Sequence, residues 1–154
     1  MKVFGFDPGS HRAGYGIIEE VEGEPVYITS GVIPIKGDLP QRLVELHNVV
    51  KRLFSEFHPD VLAVEAPFVH KNAKTALRLG QIQGVVILLA SIHAIPFFEY
   101  TPKEVKEVVT GYGGASKEQV REMVRRLLKV NGHMQLDASD ALAVALCHLL
   151  SKGR

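Results

Sequence analysis

The first strand of this chain ends in a carboxylate, and this pattern recurs. Residues 3–6 form a short apolar and aromatic run typical of a buried strand, and the turn-forming sequence DPGS ends it at Asp7. Residues 61–64, VLAV, form a second apolar run that is followed directly by Glu65. We therefore expect each acid at the mouth of a buried strand, where rigid backbone fixes its position.

Two further acids open the last predicted helix. Asp137 and Asp140 stand three residues apart in QLDASDALAVALCHLL, a spacing that places both on one helix face in its first turn. Taken singly, Asp7 could be a turn residue, Asp137 a helix N-cap and Asp140 a complement to the helix dipole. No structural role is common to these three and Glu65, so we predict that the four carboxylates meet and bind divalent metal.

The chemistry of the predicted cluster follows from its ligands. Two unit charges 4 Å apart repel by about 4 kcal/mol at an effective dielectric constant of 20, so converging carboxylates need compensation. Oxygen ligands suit hard cations such as Mg²⁺, with Mn²⁺ as a substitute. Two such ions can clamp a phosphodiester between them. Metal-assisted phosphodiester hydrolysis is the predicted class of reaction.

The order of predicted elements indicates a single α/β domain over residues 1–154. Two strands after the first complete an antiparallel meander, and the strand before Glu65 is expected to lie parallel to the first after a helical crossover. Capping-box spacings at Asp38, Thr101 and Ser116 mark three helix starts. The predicted elements after the first strand are strands at 15–18 and 25–35, a helix from 38 to 57, the strand at 61–64, a helix over 73–95, a strand at 95–99, and helices over 101–109, 116–130 and from 137 onward.

The helix predicted over residues 73–95 is polar at first and then apolar nearly all round. A helix of this kind must be covered on all sides, which predicts a core element, a dimer face, or both. Its apolar run at 84–95 is too short for a membrane span. The single cysteine, Cys147, and an N-terminus that enters a strand at once predict a cytoplasmic protein without a signal peptide.

Charge is unevenly distributed along the chain. Residues 1–70 hold six Lys and Arg against ten Asp and Glu, whereas residues 71–129 hold ten against five. A basic middle segment facing an acidic cluster could bind a polyanion, although solvated helix faces explain the same pattern. Arg121, Arg125 and Arg126 are assigned to such a face. Lys71 and Lys74 precede or open a helix, where phosphate binding and plain solvation are both reasonable.

Four segments carry a resemblance to a known family. They are FGFDPGSHRAGYG, VLAVEAPFVHKNAKTALRLGQIQGV, FEYTPKEVKEVVTGYGGASKEQV and QLDASDALAVALCH. In this order and spacing they resemble the RuvC-type crossover-junction endodeoxyribonucleases, the bacterial Holliday junction resolvases. The resemblance implies a ribonuclease H-like fold, with a five-stranded mixed sheet flanked by helices. It also implies a Mg²⁺-dependent homodimer that nicks two opposed strands of four-way junction DNA and works with a branch-migration motor complex.

The same resemblance implies roles for individual residues. The acidic tetrad of the family falls on Asp7, Glu65, Asp137 and Asp140, as catalytic residues and metal ligands. The aromatic residue at the junction centre corresponds to Phe68, which could stack on an unpaired base or be a core residue. The two DNA-contacting lysines of the family correspond to Lys106 and Lys117.

Other functions remain open at this point. Four acids with two metal ions do not by themselves distinguish DNA from RNA. A ribonuclease H-like enzyme that acts on structured RNA is therefore one alternative. Half of an actin-like ATPase is another, although 154 residues cannot supply two nucleotide-gripping lobes and no GxxxxGK[ST] loop is present. A catalytically silent junction-binding module is the third, and a DNA-binding surface gains nothing from clustered carboxylates.

Overall fold

A mixed five-stranded sheet forms the centre of the computed structural model, which describes residues 1–9, 11–66 and 72–151. The strands are β1 (Lys2–Asp7), β2 (Arg12–Val21), β3 (Glu24–Pro34), β4 (Val61–Glu65) and β5 (Phe97–Tyr100), in the spatial order β3-β2-β1-β4-β5. The first three strands pair antiparallel, and β4 lies parallel to both β1 and β5. The predicted meander and the parallel β1–β4 pair are confirmed.

Within the described residues, five helices cover the two faces of this sheet. They are α1 (Leu39–Phe57), α2 (Ala73–Ile92), α3 (Pro102–Thr110), α4 (Lys117–Leu128) and α5 (Leu136–Ser151). All three predicted capping boxes are present, at Asp38, Thr101 and Ser116, where the side chain accepts from the backbone N–H three residues on. Each capped helix therefore begins where the sequence signal placed it.

Helix ends were predicted less well than helix starts. The helix predicted over residues 73–95 ends at Ile92, because Ala94 adopts φ 58° and Pro96 follows. Likewise α4 ends at Leu128 rather than near residue 130, since Lys129 is left-handed with φ 55°. Strands β2 and β3 extend to a tight turn in which Glu22 and Gly23 both have positive φ, as a two-residue hairpin requires.

Alternate residues of the central strands face the two layers of helices. Phe4, Phe6 and Leu62 pack in one core cluster with buried residues of α1 and α2. Val3 and Ala63 belong to a second cluster with buried residues of α3, α4 and α5. This period of two explains why the strands read as continuous apolar runs, since both faces are covered.

Helix α5 lies unusually close to β1 and β2. A Cβ atom added at Gly14 would collide with the backbone carbonyl oxygen of Asp137, and one added at Gly5 would collide with that of Ala141. Glycines at these positions therefore allow the backbone of α5 to rest directly on the sheet. Its first turn is consequently held over the end of β1.

Helix α2 is long enough and apolar enough to span a membrane, judged by its length and composition only. Within the described chain, however, it packs against α1, and residues such as Ile82 and Val86 are wholly buried in the first core cluster. A core helix passes the same test of length and hydropathy. The opposite face of α2 carries the exposed apolar residues Leu77, Leu88 and Ile92.

Candidate metal centre

The four predicted acids come together at one edge of the sheet. Asp7 is the last residue of β1, Glu65 is the last residue of the parallel neighbour β4, and the pair Phe6 and Val64 aligns these two ends. Asp137 lies in the first turn of α5, and Asp140, the fifth residue of the helix, follows at the start of the next turn. Parallel strands carry their carboxyl ends to the same edge, and the close approach of α5 at Gly14 adds the other two acids.

Three of these acids can reach a common point. One carboxylate oxygen each from Asp7, Asp137 and Asp140 lies within 4.8 Å of the others. Glu65 lines the same cavity of about 400 Å³ as Asp7 and Asp140. All four acids are partly buried, so their charges are screened less than those of surface groups.

Burial and mutual repulsion raise the pKa values of the acids. Burial raises the pKa of Asp7 to about 8, with further contributions from the charges of Glu65, Asp140 and Asp137. Burial also raises the pKa of Glu65, and the charge of Asp140 adds to this shift. The pKa of Asp140 is raised chiefly by burial as well. The site is thus a strong attractor for positive charge.

Two lysines from the neighbouring helices line the cavity. Lys106 lies on α3, and Lys117 is the first residue of α4. Burial raises the pKa of Glu65, whereas the charges of both lysines lower it. Burial also raises the pKa of Asp7, and the charge of Lys117 lowers that pKa. The structure therefore places both predicted lysines beside the acids, where they can also face a phosphate. The apolar part of the cavity wall comes from Leu79, Val105, Val120 and Ala143.

Two arginines next to the α5 acids were missed by the sequence reasoning. Arg12, at the start of β2, contacts Asp137 with 2.8 Å between Nε and Oδ2. Arg121 of α4 lies 3.8 Å from Asp140, between Nε and Oδ1. The expectation of a solvated face was wrong for Arg121, whose side chain is only 23% exposed, because α4 packs on α5. The i, i+4 spacing from Lys117 was the signal that would have found it.

The remaining predicted site residues lie apart from this cavity or outside the described chain. Lys74 is exposed in the first turn of α2, and the Asn72 side chain accepts hydrogen bonds from the backbone N–H groups of Lys74 and Thr75. Those two amides are therefore already paired, which weakens the case for phosphate binding there. Phe68 and Lys71 lie outside the described residues, so their roles stay predictions.

The donor set fits a hard divalent cation. Carboxylate oxygens are the ligands that Mg²⁺ and Mn²⁺ take in proteins, and nitrogen or sulfur ligands are not needed for such an ion. Burial raises the pKa of Asp7 most, and repulsion by the neighbouring carboxylates adds to the shift; a bound cation would relieve that repulsion. The cluster is thus suited to metal on both ligand chemistry and charge.

Comparison with known proteins decides the family. A family model described as "Crossover junction endodeoxyribonuclease RuvC" matches residues 3–148. This chain belongs to the RuvC family. The RuvC protein of Enterobacter sp. (strain 638) is 46% identical over 147 residues, covering 95% of this chain and 85% of the relative. That of Hydrogenovibrio crunogenus is 45% identical over 148 residues, covering 96% and 86%.

Solved RuvC structures have the same fold. A Thermus thermophilus RuvC structure aligns with a TM-score of 0.90 at 30% identity, covering 97% of this chain and 94% of its own. T. thermophilus RuvC in complex with Holliday junction substrate aligns with a TM-score of 0.91 at 29% identity, covering 97% and 93%. The predicted ribonuclease H-like fold and the predicted enzyme class, a crossover junction endodeoxyribonuclease, are confirmed. A family match that covers residues 3–148 does not support the alternative that the chain is half of an actin-like ATPase.

Proposed function

We propose that this protein resolves four-way DNA junctions in recombination and repair by metal-dependent hydrolysis of phosphodiester bonds. The observation that carries the proposal is the cavity shared by Asp7, Glu65 and Asp140, with Asp137 beside them, in a chain of the RuvC family. A module that only binds DNA would be weakened by such a cluster, since carboxylates repel phosphate. This argument favours an enzyme over a silent binding module.

Asp7, Glu65, Asp137 and Asp140 would hold Mg²⁺, and we propose two ions per site with Mn²⁺ as a substitute. Bound divalent ions in such sites activate an attacking water and stabilise the leaving oxygen. Asp7 interacts electrostatically with all three other acids: burial raises its pKa most, and the charges of Glu65, Asp140 and Asp137 raise it further. We therefore assign Asp7 as the acid shared between the ions. Water as the nucleophile would leave 5′-phosphate and 3′-hydroxyl ends.

Lys106 and Lys117 are the proposed contacts to the DNA backbone. Both line the cavity with the acids, so a phosphate placed against the acid cluster would lie within reach of an ammonium group. Such groups position the nucleic acid and stabilise negative charge that develops on the phosphate during hydrolysis. Phe68, Lys71 and Lys74 are retained as predicted DNA contacts.

A second copy of the chain is the proposed partner on α2. Leu77, Leu88 and Ile92 are 59–70% exposed and recur at intervals of 11 and 4 residues, which places them on one helix face. Exposed apolar stripes of this kind are typical of interfaces. A two-fold dimer would present two equivalent cavities to a junction that is itself two-fold, and paired nicks follow from that symmetry. We further propose a cytoplasmic location and a branch-migration motor as a partner.

Cleavage of a synthetic four-way DNA junction in Mg²⁺ tests this function. The substrates for comparison are linear duplex, an RNA/DNA hybrid and structured RNA, with wild type and Asp140→Asn assayed in parallel. We expect paired symmetric nicks on the junction alone, lost in the variant. Cleavage of the RNA substrates instead would replace the proposed substrate with RNA, and junction binding without cleavage by wild type would refute the proposed reaction.

A further inference from the structure

Arg121 is the less exposed of the two arginines beside the α5 acids. The side chain is 23% exposed, against 69% for Arg12, which pairs with Asp137. Its Nε atom is buried, and no hydrogen-bond acceptor in the described parts of the chain lies within reach. An unpaired buried donor is destabilising, so a group of this kind calls for a physical reason.

The nearest acceptor is the carboxylate of Asp140. Arg121 Nε and Asp140 Oδ1 are 3.8 Å apart, and an N–H···O bond is typically about 2.9 Å long. A relative movement of about 1 Å would therefore convert the ion pair into a hydrogen bond. Arg121 lies on α4 and Asp140 on α5, and these two helices pack against each other.

We propose that Arg121 is a positioning residue for Asp140. After that movement its Nε–H donates to Oδ1 and leaves the second carboxylate oxygen free for a divalent cation. This inference rests on the metal site of the proposed function. Ligands of metal ions are generally oriented by such outer hydrogen bonds, whose removal lowers metal affinity about 10–100-fold. Arg12 is not given this role, since its side chain is 69% exposed and exposed ion pairs contribute little.

Charge and hydrogen bonding from Arg121 have opposite effects on a bound cation. The positive charge repels the metal, so a purely electrostatic residue would weaken its binding. A donor that orients Asp140 would strengthen it. Two substitutions separate these effects. Arg121→Gln removes the charge but keeps an N–H donor at the same number of bonds from the backbone as Nε, whereas Arg121→Met removes both.

Binding of Mn²⁺ to the full chain without DNA, measured by electron paramagnetic resonance, tests the proposal independently of activity. We expect Arg121→Met to raise the dissociation constant at least about tenfold. The Gln variant should stay within about threefold of wild type, because its amide can donate to Oδ1. Arg125→Met, one turn further along α4 at an exposed position, is the matched control and should bind like wild type.

Each outcome bears on a different claim. Equal or tighter Mn²⁺ binding by Arg121→Met would overturn the positioning role alone, as would equal losses in the Gln and Met variants. A wild type that binds no Mn²⁺ would overturn the proposed metal site and this inference with it. Urea unfolding establishes that each variant is folded. If the Met variant does not fold, Arg121→Ala replaces it, since water can enter the vacated position, with the same expected loss.

Discussion

Raising the pH from 5 to 7 in the presence of EDTA should destabilise this protein through Asp7. The pKa of this acid is about 8 in the folded chain, against an ordinary value of 3.8. Between these values the folded state keeps the proton that the unfolded state has released. The contribution of Asp7 to stability is therefore fully present below about pH 4 and is lost as the pH rises towards 8.

The size of the effect follows from proton linkage. One proton held only by the folded state changes the free energy of unfolding by about 1.4 kcal/mol per pH unit. Over two units the loss is about 3 kcal/mol, a large part of the total stability of a small domain. The raised pKa values of Glu65 and Asp140 act in the same direction.

Urea unfolding at several pH values in EDTA measures this slope. Asp7→Asn should be more stable than wild type at pH 7 and should lose most of the slope, because the amide has no proton to release. Asp38→Asn is the matched control, since Asp38 is an exposed helix cap outside the cluster and Asn also caps well. Excess Mg²⁺ should flatten the wild-type slope by favouring the ionised acids. Parallel curves for wild type and Asp7→Asn in EDTA would refute the reasoning.

Three further results are expected. Lys117→Met should reduce the rate of junction cleavage about 100-fold or more by removing a charge beside the scissile phosphate, measured by single-turnover kinetics. Gly14→Ala should lower the free energy of unfolding by about 1–3 kcal/mol and weaken Mn²⁺ binding, because the new Cβ displaces Asp137, as urea unfolding and metal titration would show. Leu88→Glu should dissociate the proposed dimer by burying a charge in the interface, measured by analytical ultracentrifugation.

Matched variants control each of these experiments. Lys103→Met removes an exposed lysine of α3 and should leave cleavage unchanged. Gly80→Ala places a Cβ in open space on a helix and should not destabilise the chain. Val44→Glu changes an apolar residue of α1 that is 59% exposed, as Leu88 is, and should not alter the oligomeric state. Equal behaviour of a test variant and its control would contradict the corresponding prediction.

Local signals in the sequence determined most of the elements and the four acids. The capping boxes at Asp38, Thr101 and Ser116 are formed by residues three apart, so each helix start is encoded within one turn. Strand-end acids could be recognised for a similar reason. Asp7 and Glu65 follow apolar runs directly, and parallel pairing of those runs brings the acids together. Helix ends such as Ile92 were misplaced because a single left-handed residue decides them.

The packing of α5 and α4 was decided only by tertiary structure. Gly14 gave no sequence signal for a contact with Asp137, which lies more than a hundred residues away, and that contact sets the position of both α5 acids. The sequence assigned Arg121 to a solvated helix face. In the structure α4 packs on α5, which places the Nε atom of Arg121 beside Asp140. The sequence alone therefore predicted which acids come together, because the end of a strand and the turn of a helix are set by neighbouring residues. The distances between the acids, and the identity of the arginines beside them, depend on long-range packing. The periodicity of apolar residues in the sequence does not encode that packing.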